Sequence, residues 1–147
     1  MKLGFDAKRI FNNFTGLGNY GRAVVANLAE HFPENEYHLF TPKIKETPET
    51  LPFLKPPFQL HQGSGAMWRT SGITKDLQKN EIDIYHGLSH EIPIGIQKTG
   101  IKSVVTIHDL IIKVYPKQFP FFDRQIYDFK FKYACEHADV ILSLIHI

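Results

Sequence analysis

Ile101-Lys102-Ser103-Val104-Val105-Thr106-Ile107-His108-Asp109 is the stretch that decides the fold. Its β-branched residues run almost without a polar break over 101–107, the pattern of a strand buried on both faces and therefore central in a parallel sheet. The run then stops on a polar pair, and in open parallel sheets the carboxyl ends of strands face the ligand crevice. Working outward, 82–87 and 3–7 read as further buried strands, the latter with Asp6 near its carboxyl end, and 37–41, 58–61 and 138–143 complete the set. Between them lie helical periodicities: Tyr20, Val24, Leu28 and Phe32, ended by Pro33; Trp68, Ile73 and Leu77 within 67–79, ending near Asn80; and Phe122, Ile126, Phe129 and Tyr133. Strand and helix alternate throughout, which predicts a doubly wound, mostly parallel α/β sheet. Pro42, Pro48, Pro52, Pro56 and Pro57 break up a long irregular passage, expected to be a mobile excursion.

The 147 residues, 43% of them hydrophobic, suit one domain with a sizeable core, and neither repeats nor linkers interrupt it. A formal net charge of +2 and the lack of a dense basic run argue against a nucleic-acid partner. The single cysteine, Cys135, excludes an internal disulfide and fits a reducing cytoplasm. The amino terminus has no apolar leader, and no apolar run approaches membrane-spanning length.

Between the first strand and the first long helix lies Gly16-Leu17-Gly18-Asn19-Tyr20-Gly21-Arg22. It reads as a glycine-rich turn able to approach phosphate or sugar, with the helix amides pointing outward and Asn19 as N-cap. Taken literally it is also the dinucleotide fingerprint G-x-G-x-x-G. Two details oppose that reading: residues 7–15 separate it from the first strand, and the second strand ends in Leu39-Phe40-Thr41 rather than on an acid. The plain alternative is that the glycines only cap a helix.

The polar residues expected beyond the strand ends are Asp6, the 16–21 segment, His86, His90, Glu91, His108 and Asp109, with 64–69 as a further loop at the crevice. His108 is read either as a ligand-gripping group or as a core histidine satisfied by a neighbouring carbonyl. The stretch 86–91 has His-x-x-x-His-Glu content, but it sits in a turn bounded by Gly87 and Pro93, where ligand spacing for zinc fails. No G-x-S-x-G nucleophile elbow is present. Arg124, Lys130 and Lys132 interleave with Tyr127, Phe129, Phe131 and Tyr133, a helix suited to a membrane surface or anionic lipid, or else simply solvated.

Gly4-Phe5-Asp6-Ala7-Lys8-Arg9, Gly16-Leu17-Gly18-Asn19-Tyr20, Asp83-Ile84-Tyr85-His86-Gly87, Val105-Thr106-Ile107-His108-Asp109-Leu110 and Tyr133-Ala134-Cys135-Glu136-His137-Ala138-Asp139, in this order, resemble the amino-terminal domain of family 4 glycosyltransferases. The resemblance spans Met1 to about Ser143 and implies one Rossmann-like half of a GT-B fold, the acceptor side of an enzyme that transfers a sugar from a nucleotide-sugar donor with retention and without metal or other cofactor. It implies that His108 is catalytic, bonding a hydroxyl of the transferred sugar. Gly16, Leu17, Gly18 and Asn19 would contact a diphosphate or acceptor phosphate, and His86 and Asp109 would shape the acceptor pocket. It further implies a cytoplasmic protein, peripheral at the inner face of the membrane, whose donor-binding domain is absent, so that this truncated fragment is inactive alone. Leu144-Ile145-His146-Ile147 departs from the family pattern and is expected to lie outside natural sequence. A non-catalytic Rossmann-like binding module and an NAD-dependent oxidoreductase domain are the alternatives.

Overall fold

The computed structural model describes residues 1–65 and 67–144, so Ile145, His146 and Ile147 of the expected carboxyl-terminal departure lie outside the described residues. Six strands form one all-parallel sheet: β1 (Lys2–Asp6), β2 (Glu36–Thr41), β3 (Phe58–Gln62), β4 (Ile84–Gly87), β5 (Lys102–Ile107) and β6 (Val140–Ser143). Their order is β3-β2-β1-β4-β5-β6, a Rossmann-like doubly wound arrangement. The chain first builds outward from β1 in one direction, then returns to build from its other side. The two crossover directions diverge between β1 and β4, which opens a crevice at their carboxyl ends.

Among the described residues five α-helices accompany the sheet: α1 (Lys8–Asn12), α2 (Gly16–His31), α3 (Ile73–Lys79), α4 (Ile111–Val114) and α5 (Phe121–His137). Because successive strand residues point to opposite faces, adjacent residues serve different cores. Leu39 packs with Phe5, Ile10, Phe11, Val25 and Tyr37 under α1 and α2. Phe40, its neighbour, packs with Ile73, Leu77, Tyr85 and Val105 on the other face. Both faces of the central strands are filled, which is why their sequences are continuous apolar runs.

The segment expected to be a glycine turn is helix. Residues 8–12 form α1, which buries Ile10 and Phe11, and α2 begins at Gly16, so the glycines lie in its opening turns. Asn19 is not the cap. The Asn13 carboxamide does that work, its Oδ1 accepting from the Thr15 amide (3.0 Å), the Thr15 hydroxyl (2.9 Å) and the Gly18 amide (3.0 Å). A Cβ on Gly18 would fall 1.7 Å from the Asn13 carbonyl oxygen, so this glycine serves close packing rather than positive φ. Arg22 locks the junction, donating to the carbonyls of Ile10 (2.7 Å) and Asn13 (3.0 Å) and to Asn19 Oδ1 (2.7 Å).

The proline-rich passage is pinned rather than loose: Thr50 is fully buried, accepting from the Thr47 amide and donating to the Lys45 carbonyl, and Phe53 enters the core. The predicted second helix divides into a π-helical turn, Trp68–Gly72, and α3. Along α5 the apolar stripe faces outward. Phe122 is 78% exposed, with Ile126 and Phe129 at 57% each, while Ala134 is buried against the sheet. Among the described residues, no helix is long and apolar enough to cross a membrane.

The two outer glycines of the Gly16-Leu17-Gly18 triplet should therefore respond oppositely to substitution. Gly18→Ala drives a methyl into backbone and is expected to cost about 3 kcal/mol, whereas Gly16, with no atom within 4 Å of an added Cβ, is expected to gain about 0.5 kcal/mol as Ala. Urea denaturation of the two variants checks this, and equal midpoints would refute the packing role.

Candidate functional site

At the carboxyl ends of the strands a half-enclosed cavity of about 540 Å³ opens at the divergence of β1 and β4. Its floor is a chain of charges. Asp6, the last residue of β1, is 2% exposed, and Arg69 from the π-helical turn grips it with Nε (3.2 and 3.1 Å) and Nη2 (2.5 Å). Arg69 Nη1 pairs with Glu91 Oε1, and Lys130 of α5 closes the chain on Glu91 Oε2 at 2.6 Å. Burial alone would raise the Asp6 carboxyl, but the charge and forked hydrogen bonds of Arg69 hold it below the ordinary carboxylate value. Burial alone would also ease the proton off Arg69, yet Asp6 and Glu91 raise its pKa further.

The loop after β4 is folded tightly enough to bring Glu91 back to this floor. A Cβ on Gly87 would lie 2.0 Å from the Glu91 carbonyl oxygen, and His90 takes a left-handed φ of 60° while its amide donates to the Thr106 carbonyl (2.9 Å). That conformation turns His90 and Glu91 into the cavity wall, beside Asp109 from the end of β5 and Tyr127 from α5. The Tyr127 hydroxyl donates to the Asp109 carbonyl (3.3 Å); burial first, and then the Asp109 carboxylate, push its pKa up to about 12.

Of the residues expected from sequence, Leu17, His90, Glu91 and Asp109 line this cavity, with Arg69 from the expected 64–69 loop. Gly16 is exposed at the start of α2, Gly18 is sealed beneath Asn13, and the Asn19 carboxamide oxygen is occupied by Arg22. His108 is half-buried and off the cavity wall. Its Nε2 donates to the Leu88 carbonyl (2.7 Å), and its ring meets Tyr20 edge-on at 4.8 Å and His90 at 5.3 Å. This is the carbonyl-satisfied arrangement of the second reading of His108.

His86 lies elsewhere, 8% exposed on the α2 side of the sheet, where it lines a largely apolar groove of about 410 Å³ with Tyr20, Val24 and Val104. It hydrogen-bonds with Thr106 Oγ1 (2.8 Å), which also meets the Tyr20 hydroxyl (3.0 Å). Burial, helped by the His108 imidazole, pulls its pKa down to about 4. Arg69 is the residue that pattern reading underrates, because its partner Asp6 is 63 positions away. Among the described residues no group of three or more His, Cys, Asp and Glu side chains is assembled to hold a metal ion.

Comparison of the chain with protein-family models, with curated proteins and with solved structures finds no match in any of the three.

The His86 shift fixes the sign of a pH effect. The unfolded imidazole takes its proton near pH 6.5 and the folded one only near 4, so the unfolded state binds more protons between these values and stability rises with pH across that window, levelling off above it. His38 and His61, also lowered by burial, act in the same direction. His86→Gln is expected to remove about 3 kcal/mol of the acid loss between pH 7 and pH 4, read from denaturation midpoints at each pH. An unchanged slope would show that His86 is not a buried neutral imidazole.

Proposed function

We propose that the chain is the acceptor-side domain of a retaining, metal-independent glycosyltransferase that uses a nucleotide-sugar donor. The observation that carries this reading is the switch-point cavity, whose floor and rim are dense in fixed hydrogen-bonding groups and aromatic edges. A sugar presents many hydroxyls, and each must exchange water for a positioned donor or acceptor; Glu91, Asp109, Tyr127 and His90 offer both kinds around one space. The opening turn of α2 reaches the same space through Leu17. Among the described residues the Gly16 and Leu17 amides have no acceptor, while the Gly18 amide is taken by Asn13, so the first two suit a phosphate of donor or acceptor. His108 stands off the cavity wall with Nε2 bound to Leu88, so a role on the transferred sugar would fall to its second ring nitrogen alone. The leaving diphosphate would be stabilised by such fixed dipoles and by charges of a facing domain.

The nicotinamide alternative draws no support from the glycines. They lie inside a helix and not in a strand-to-helix turn, and β2 ends at Thr41, whose hydroxyl donates to the Lys43 carbonyl (2.8 Å) where a ribose-binding carboxylate would be needed. Titration of the ¹⁵N-labelled chain with UDP-glucose, GDP-mannose and NAD separates the readings. Shifts at Leu17, His90 and Tyr127 with a nucleotide-sugar and none with NAD are expected; the reverse would overturn the assignment.

The outward face of α5 supports peripheral association of this cytoplasmic protein with an anionic membrane. Phe122 and Phe129 are exposed there, and Val114, Tyr115, Lys113 and Lys117, in and after α4, are exposed as well. Cosedimentation with phosphatidylglycerol vesicles is expected, with about a tenfold loss on Phe122→Ser plus Phe129→Ser. Equal binding by the double variant would remove the face from the interaction.

A further inference from the structure

Four cations (Lys8, Arg9, Arg69 and Lys130) and the acids Glu91, Asp109 and Asp123 line the cavity, but the acids do not pair with all of the cations. Arg69 is neutralised by Asp6 and Glu91, and Lys130 by the other oxygen of Glu91. Lys8 and Arg9, neighbours at the start of α1, also line the wall, and among the described residues neither has an ion-pair partner. Arg9 Nε is buried with no hydrogen bond at all. Asp109, the acid at the end of β5, has Oδ1 on the Ile111 amide (3.1 Å). The two cations and Arg69 repel one another inside a partly desolvated space: burial, then Arg69 and Arg9, depress the pKa of Lys8, against a lesser opposing pull from Glu91 and Asp6. Unpaired charge held out of water is costly unless a counter-charge arrives.

We infer that the ligand of this cavity is a sugar bearing an anionic substituent, a phosphate monoester or a carboxylate, seated on Lys8 and Arg9 with its hydroxyls toward Glu91, Asp109 and Tyr127. The inference rests on the glycosyltransferase reading and narrows its acceptor class. The chemistry matches on both sides. The Arg9 guanidinium presents a planar fork that pairs two oxygens of either anion, Lys8 adds a point charge, and Leu17, whose α2 amide is unpaired among the described residues, lines the same cavity. A neutral sugar would leave both cations and the buried Arg9 Nε as they are.

The test is binding, independent of any transfer activity. The full chain is titrated calorimetrically at low salt with glucose 6-phosphate, glucuronate, glucose and inorganic phosphate, and the same series is run on Lys8→Ala, Arg9→Ala and Arg9→Lys, each first shown to melt cooperatively. At least one charged sugar is expected to bind about tenfold or more tightly than glucose and to weaken as salt rises; which of the two does so distinguishes phosphate from carboxylate. Arg9→Ala and Lys8→Ala should each lose most of that preference, and Arg9→Lys, which keeps the charge but not the fork, should retain only a reduced preference of about threefold. Glucose binding as tightly as the charged sugars overturns the anionic seat while leaving the glycosyltransferase reading standing. Inorganic phosphate binding as tightly as glucose 6-phosphate overturns the sugar half of the inference and, with it, the reading on which it rests. Undiminished affinity in both alanine variants overturns the assignment to Lys8 and Arg9.

Discussion

A carboxylate placed at the buried end of the first strand has to be paired, and the upper half of this molecule is arranged to meet that demand. Asp6 cannot reach solvent, so Arg69 must come to it, and the connection after β3 is shaped to deliver the guanidinium. Once there, Arg69 has donors to spare, and these draw in Glu91, which in turn draws in Lys130 from α5. One desolvation requirement thus ties together β1, the turn before α3, the loop after β4 and the last helix. The same ties make the cavity floor rigid, because each charge is fixed by a neighbour on a different element.

Two backbone approaches set the cavity's shape. At Gly18 the start of α2 presses on the Asn13 carbonyl, and at Gly87 the end of β4 presses on the Glu91 carbonyl. Neither glycine needs a positive φ; both are required because a side chain would occupy the space of another strand of backbone. The first holds α1 against α2, which puts Lys8, Arg9 and Leu17 on one wall. The second turns His90 and Glu91 back into the cavity lining.

Much of this was legible in the sequence, and the parts that were not have identifiable reasons. The β-branched runs at 101–107 and 82–87 gave the parallel sheet because burial on both faces leaves no other pattern available. The glycine triplet misled because Gly-x-Gly is equally required by a turn and by a helix packed against a carbonyl, and composition does not separate them. Asn19 reads as a cap for the same reason, but a hidden five-residue helix moves the helix start, so that Thr15 takes the cap position and Asn13 supplies the capping oxygen. Periodicity in α5 located a stripe without saying which way it faces, and Phe122 faces out. His108 and His86 were both read toward one crevice, but alternation along the strands places His86 on the α2 side, where Thr106 holds it. Arg69 was only one residue of an expected crevice loop, since nothing local marks a side chain whose partner lies 63 positions earlier.

The two margins of the sheet differ in character. β3 presents Gln59 and Gln62 outward, polar side chains that keep its edge wetted. β6 presents Val140, Ile141 and Leu142, every residue exposed, with β5 on one side and, among the described residues, no strand on the other. An exposed apolar strand at a sheet margin invites an extended apolar peptide to add alongside it. A single lysine in place of Ile141 is the natural gatekeeper at that margin.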